Sequence, residues 1–198
     1  MTRGATVFHL LAEGYARRTP GGGWVASPAC VLLRDAGVDV LVDPGANAPA
    51  LLAALAALGM APADVDMVFL THTHLDHILN LRLFPDAPVC DGVDVARGDV
   101  LEPCGGVIPG TGIRVVPTPG HSPEHFSLVA DTPDGRVVVA GDAFWWMDGE
   151  APTPTPEGLM GCTDDKAHDP ELLRASRRAL LALGPRWIVP GHGAVVEL

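Results

Sequence analysis

In the run His72-Thr73-His74-Leu75-Asp76-His77, three imidazoles and one carboxylate fall within six positions. Imidazole nitrogen and carboxylate oxygen are the donors that zinc and related borderline cations favour, and packing alone does not call for such a density of them. The apolar stretch Met67–Leu70 comes directly before, so the cluster is expected at a strand end, where its members can converge on one point. A helix starting near Leu75 would put Asp76 and His77 in its first turn and leave His72 and His74 on the loop, two sets of donors facing two adjacent ions. Three more candidates share that kind of position. His121 follows Val115-Val116-Pro117-Thr118-Pro119-Gly120, Asp142 follows Val137-Val138-Val139-Ala140-Gly141, and His192 follows Ile188-Val189-Pro190-Gly191. Residues just past strand ends gather along one edge of a sheet, and the glycine before each of these three permits a tight turn and close backbone approach.

With these residues in this order, the sequence resembles the metallo-β-lactamase superfamily, whose HxHxDH signature stands here as His72 to His77. The Asp43-Pro44-Gly45 turn, the Pro119-Gly120-His121 turn, the Gly141-Asp142 turn and the Pro190-Gly191-His192-Gly193 end fit it in sequence. The resemblance spans most of the chain. It implies an α+β fold, an αββα sandwich of two mixed β-sheets with helices on the outer faces, forming one domain over residues 1–198. It also implies that His72, His74 and His121 bind a first metal ion, Asp76, His77 and His192 a second, and Asp142 both. Asp43 would hydrogen-bond a ligand histidine from behind, or else serve only its turn. His125, in His121-Ser122-Pro123-Glu124-His125, is similar to the second histidine of an HTxGH variant, and reads as a buried hydrogen-bonding residue or a substrate contact. His9 and His168 read as structural or exposed.

Two divalent ions carry +4, and Asp76 and Asp142 bring that to +2, which favours a bridging hydroxide between them. Such a nucleophile attacks an electrophilic carbon or phosphorus while one ion polarises the oxygen that becomes negative. Asp76 is the candidate catalytic residue, accepting or relaying a proton. The leading expectation is hydrolysis of a small ester, lactone or thioester with two divalent ions, zinc first and iron or manganese as alternatives. A phosphodiesterase or nuclease of the same fold is the runner-up. The third reading is a mononuclear iron dioxygenase acting on persulfides through His72, His121 and Asp142 alone. An acidic residue at 142 departs from β-lactamases, and His74 stands where flavo-diiron proteins carry a glutamate.

The rest of the chain must position these groups. Its 198 residues, 47% hydrophobic, suffice for one core without disulfide staples. The formal charge is −11, and among 13 Lys and Arg only Arg17-Arg18 and Arg177-Arg178 are adjacent. That scatter disfavours nucleic acid as a partner and leaves a small-molecule substrate; it does not fix the oligomeric state. Cys30, Cys90, Cys104 and Cys162 form no CxxC pair, so isolated reduced thiols are expected, with neither a disulfide nor a cysteine zinc site. Met1–Leu11 lacks the pattern of a signal peptide and no stretch of eighteen apolar residues occurs, from which a soluble, cytoplasmic protein with no membrane partner is expected.

Apolar runs ending in Gly, Pro or Asp alternate with helical stretches, which indicates an α/β or mixed class. Strands are expected at Cys30–Leu33, Val38–Val42, Met67–Thr71, Ile113–Thr118, Phe126–Ala130, Arg136–Ala140 and Trp187–Val189. One helix should include Ala50–Leu58, capped by Asn47 and stopped by Gly59. A second should open on Asp169 and Pro170 and run to Leu183, with Leu172, Leu173, Leu180 and Leu183 on its apolar face. Asp134-Gly135 reads as a hairpin turn. The stretch from Phe144 to Ala167 has no periodicity and is too long for an ordinary connection, so it reads as a lid or mobile loop. Trp145 and Trp146 at its start are placed over the reactive cleft, with ordinary packing as the alternative.

Overall fold

The computed structural model describes residues 5–198; the first four positions of the Met1–Leu11 stretch lie outside them. Strands β1 (Val7–Ala12), β2 (Tyr15–Arg18), β3 (Trp24–Ser27), β4 (Cys30–Asp35) and β5 (Val38–Val42) lead into helix α1 (Ala48–Ala57). Then come β6 (Met67–Phe69), the single-turn helix α2 (Leu75–Ile78), β7 (Val89–Cys90), β8 (Asp94–Arg97) and β9 (Val100–Pro103). The second half carries β10 (Arg114–Pro117), β11 (Phe126–Thr132), β12 (Gly135–Gly141), α3 (Pro156–Met160), α4 (Pro170–Ala182), β13 (Trp187–Pro190) and β14 (Val196–Glu197). One sheet has the order β1-β4-β5-β6-β7-β8-β9, the other β10-β11-β12-β13-β14, and β2 pairs with β3 as a separate hairpin. Both sheets are mixed, with β5, β6 and β7 parallel in the first and β12 and β13 parallel in the second.

The period-two alternation of strand side chains divides the apolar residues into three layers. Val40, Val42, Met67 and Phe69 of the first sheet meet Leu128, Ala130, Val137, Val139 and Val189 of the second in one central core. Their neighbours in sequence face the other way. Leu41 and Val68 pack against Leu51 and Leu55 of α1, and Val129, Val138 and Ile188 pack against Leu173 and Leu180 of α4. This is the αββα sandwich. Each fully buried Val or Leu contributes about 1.5–3 kcal/mol, and a one-residue slip of any central strand would exchange the layers.

Local signals set the helix ends. The Asn47 side chain accepts from Ala50 N at 3.2 Å, and the Asp169 side chain accepts from Leu172 N at 2.9 Å, each satisfying a backbone donor that the first helical turn leaves open. In α4 the buried positions are Leu173, Ser176, Arg177 and Leu180. Leu172 is 42% exposed and does not belong to the expected apolar face, because Ser176 and the stem of Arg177 complete it. Arg177 donates to Ala143 O at 2.6 Å and to Cys162 O at 2.5 Å, holding both ends of the long segment against α4. That segment contains α3, capped by Thr155, so it is not wholly irregular.

The four cysteines are free, but one pair is not isolated as expected. Cys90 and Cys104, though fourteen residues apart, bring their Sγ atoms to 3.0 Å in the central core, because the β7–β8–β9 meander folds the chain back on itself. Among the described residues no helix is long and apolar enough to cross a membrane.

Candidate metal centre

The seven side chains meet at one edge of the sandwich, each just past a strand. His72, His74, Asp76 and His77 follow β6, His121 follows β10, Asp142 follows β12 directly, and His192 follows β13. Potential ligand atoms form two groups, His72, His74, His121 and Asp142 in one and Asp76, His77 and His192 in the other, with the atoms of each group within 4.8 Å of one another. Asp142 joins them. Its Oδ2 is 3.2 Å from His121 Nε2 and 3.7 Å from His72 Nε2, while its Oδ1 is 3.4 Å from His77 Nε2 and 3.6 Å from His192 Nε2. Asp76 Oδ2 lies 3.3 Å from His192 Nε2, and His74 turns its Nδ1 to His121 Nε2 at 3.1 Å.

Close approach depends on glycine at two of these turns. A Cβ on Gly191 would collide with Asp142 Oδ1, and a Cβ on Gly120 would collide with the backbone of Leu173. Gly120 also has φ +134°, which side-chain-bearing residues rarely adopt.

The hydrogen bonds behind the centre fix the histidine tautomers. A carboxylate or carbonyl oxygen can only accept, so whatever faces it must donate. His77 Nδ1 donates to Asp43 Oδ2 at 2.8 Å, and Thr71 Oγ1 donates to the same oxygen at 2.7 Å. Since the Thr71 proton is committed there, its oxygen accepts from His72 Nδ1 at 3.1 Å. His121 Nδ1 donates to Asp164 Oδ2 at 2.7 Å, and His192 Nδ1 faces the carbonyls of Tyr15 and Ser27 at 3.0 and 3.1 Å. Four imidazoles thus direct Nδ1 outward as a donor and turn Nε2 to the centre. His72 Nε2, His77 Nε2 and Asp142 Oδ1 are buried there with no hydrogen-bond partner. Imidazole nitrogens and carboxylate oxygens gathered at one buried point, three of them without a partner, have the chemistry that a divalent cation satisfies.

The local electrostatics divide the histidines. Burial pushes the His72 imidazole well below its ordinary range, with His77 adding to the effect, so it stays a neutral donor. For Asp142, burial opposes the charge, but His192 and His77 outweigh it and hold the carboxyl well below its usual range. For His77, burial favours the neutral ring, yet Asp142 and Asp43 prevail and raise it well above the ordinary value. His192 is raised in the same way, Asp142 and the bond to Asp76 overcoming burial. The buried anion draws positive charge to the centre.

Asp43 is therefore more than a turn residue. It is 1% exposed, sits at φ +47°, accepts from Thr71 N at 2.8 Å through Oδ1, and orders a histidine of each group. The sparsely populated backbone conformation at a non-glycine residue is one that surrounding bonds must maintain. His125 is buried, with Nδ1 2.8 Å from Thr118 Oγ1 and its ring 5.1 Å from that of His72. It does not line the cleft, so the substrate-contact alternative is not supported.

A cleft of about 680 Å³ opens onto the centre, lined by Ala16, Trp24, Leu75, Leu79, Trp145 and Lys166 beside the donor groups. Trp145 is where the sequence placed it. Trp146 is not: it is 5% exposed and packs in the layer between the second sheet and α4, its backbone N–H bonded to His192 O. Adjacent residues point to opposite sides, so only one indole of the pair can face the cleft. The sequence reading missed Asp164 and Trp24. Asp164 lies in the segment read as a lid, where a carboxylate has no periodic or motif signal, and Trp24 follows a Gly-rich turn of β2–β3 from which no role could be inferred.

A sequence model described as the metallo-beta-lactamase superfamily matches residues 23–100 and 91–192. Metallo-beta-lactamase domain-containing protein 1 of Xenopus laevis is 38% identical over 93% of this chain and 78% of its own length. The chain spans 59% to 65% of the rat, mouse and human proteins of that name. Atrochrysone carboxyl ACP thioesterase of Aspergillus fumigatus is 28% identical over 80% of this chain and 48% of its own. Among solved structures, a metallo-beta-lactamase-type protein of Thermotoga maritima superposes with a TM-score of 0.71 and 21% identity, covering 98% of this chain and 100% of the other.

Proposed function

Because this chain belongs to the metallo-β-lactamase superfamily, we propose that it is a dinuclear metal-dependent hydrolase acting on a small ester, lactone or thioester. In this reading His72, His74 and His121 hold one divalent ion, Asp76, His77 and His192 hold a second, and Asp142 serves both. The observation that carries it is the division of Asp142, with Oδ2 toward His72 and His121 and Oδ1 toward His77 and His192. A carboxylate serving a single ion would have no reason to spread its oxygens between two histidine pairs. Zinc suits a set of five imidazoles and two carboxylates best, with iron or manganese as alternatives.

Two such ions would supply Lewis-acid chemistry there, acidifying a bound water and stabilising negative charge on the substrate oxygen. The chain's own groups do the rest. Asp43, Asp164 and the Tyr15 and Ser27 carbonyls hold the imidazole rings in place from behind, so no side chain must reorient during reaction. Asp76 lines the cleft, half-buried, and is lowered in pKa: burial opposes its charge, but the bond to His192 and the charge of His77 outweigh it. It is thus an anion at neutral pH, able to receive the proton of an attacking water and return it to the leaving oxygen or sulfur. Trp24, Trp145, Leu75 and Leu79 supply apolar walls that displace water from the substrate. The thioesterase name of the Aspergillus fumigatus relative supports a carboxylic thioester among the substrates.

The test is elemental analysis of protein purified without added metal, combined with turnover of ester, lactone, thioester and phosphodiester panels. Two divalent ions per chain with cleavage of carboxylic esters or thioesters is the expected result. A phosphodiesterase preference would correct the bond type. One iron with oxygen uptake, or no transition metal, would overturn the reading. Asp76→Asn, whose amide oxygen can still ligate but cannot take up a proton, should lose turnover even when loaded with both ions at excess metal.

A further inference from the structure

The cleft beside the centre joins surfaces of opposite character. Leu75 and Leu79, on and just after α2, line it and are 71% and 53% exposed. Two open leucines next to a polar centre form an apolar ledge. Lys166 lines the same cleft, with Nζ 4.1 Å from the centroid of the Trp24 ring, which Arg18 approaches with Cζ at 4.3 Å. The nearby carboxylates are already engaged, Asp164 by His121 and Asp165 by Arg18 at 3.7 Å. Among the described residues, Lys166 has no ion-pair partner; its ammonium stands over the indole ring as an uncompensated charge. In a chain of net charge −11, a cation without an ion-pair partner at the edge of this cleft is selective by position. Its contact with Trp24 restrains a side chain that would otherwise lose much freedom on binding a ligand.

Building on the hydrolase reading, we propose that the substrates are amphipathic anions, with an apolar acyl group on the Leu75–Leu79 ledge and a carboxylate at Lys166. The ledge and the ammonium then select opposite ends of one molecule, with the scissile carbonyl between them at the donor cluster. Neutral esters fill the ledge but leave Lys166 without a partner. Short hydrophilic anions reach Lys166 but leave the ledge exposed.

Binding and turnover are tested separately. Two uncleavable thioethers, 3-(hexylthio)propanoate and its neutral amide, are titrated against the metal-loaded protein by tryptophan fluorescence, since Trp24 and Trp145 line the cleft. The carboxylate is expected to bind about 1.4- to fivefold more tightly, the range for one exposed ion pair, and Lys166→Met should reduce that ratio to near one. Equal affinities in the native protein, or a preference that survives Lys166→Met, would overturn the proposal. The hexanoyl thioesters of 3-mercaptopropanoate and 3-mercaptopropanamide then report turnover. If neither is cleaved while the binding preference holds, the hydrolase reading fails and the subsite stands. If both are cleaved with equal KM and the thioethers bind alike, the subsite fails and the hydrolase reading stands.

Discussion

Replacing Asp164 by alanine should weaken one of the two proposed metal ions selectively. The Asp164 side chain is 1% exposed and its Oδ2 lies 2.7 Å from His121 Nδ1, a short bond to a ring that is itself buried. Without that acceptor, His121 loses what fixes its tautomer and its angle of approach, and a buried N–H is left unpaired. Removal of such a supporting carboxylate typically costs about 10–100-fold in metal affinity, equivalent to about 1.4–2.7 kcal/mol. Asp164→Asn should fall between, because an amide oxygen can still accept from Nδ1 but without the charge. Zinc competition with a graded series of chelators should show two steps in the native protein. In Asp164→Ala one step should move by the stated factor, while the other, with its support from Asp43 and the Tyr15 and Ser27 carbonyls intact, should move much less. Equal weakening of both steps would mean general loosening of the segment, and no change in either would mean that the bond does not position His121. Both results would refute the reasoning.

Further outcomes follow from the same geometry. Asp43→Asn replaces an anion that accepts three hydrogen bonds from Thr71 and His77 with a group that must present a donor to one of them. Urea unfolding should register a loss of about 2–4 kcal/mol, since bonds to a buried charge contribute about 1.5–3 kcal/mol each and do not add fully. Gly191→Ala puts a methyl group onto Asp142 Oδ1; metal stoichiometry should fall below that of the native protein while circular dichroism still reports the folded sheets. Stripping metal with a chelator should lower the melting temperature by on the order of 10 °C, because a ligand held at a thousandfold its Kd stabilises by about 4 kcal/mol. An unchanged melting curve would indicate that the donors hold no ion in the folded chain.

The sequence made the centre legible for a definite reason. A strand end followed by a donor is a local pattern, carried by residues that adjoin the ligands in sequence. Strand Val38–Val42 was legible because Val40, Leu41 and Val42 are buried on both faces, where an apolar run must appear. Strands β8 and β9 lacked that signal because β9 is exposed along its length at the sheet edge, leaving no apolar alternation to read. The β2–β3 hairpin was equally silent: its residues pack against loops, and only the tertiary fold brings Tyr15 and Ser27 to His192. Asp164 illustrates a limit of another kind. Its partner is forty-three residues away, and nothing within its own segment distinguishes it from Asp165 beside it. The Cys90–Cys104 approach likewise depends on a meander that the sequence did not reveal.

The centre also bears on why the two sheets stay together at this edge. His72, His74, Asp76 and His77 extend from the first sheet, and His121, Asp142 and His192 from the second. Each proposed ion therefore takes donors from both sheets and ties them across the seam. The backbone makes the same crossing at only a few places there, as where Phe126 N donates to Thr71 O at 2.8 Å and Ala29 N donates to Gly191 O at 2.7 Å. Burying Asp142 among four imidazoles is costly for a chain that offers its oxygens no proton donor. A cation turns that cost into a cross-link between layers, so the hydrophobic core and the metal centre should unfold as one unit when the ions are bound.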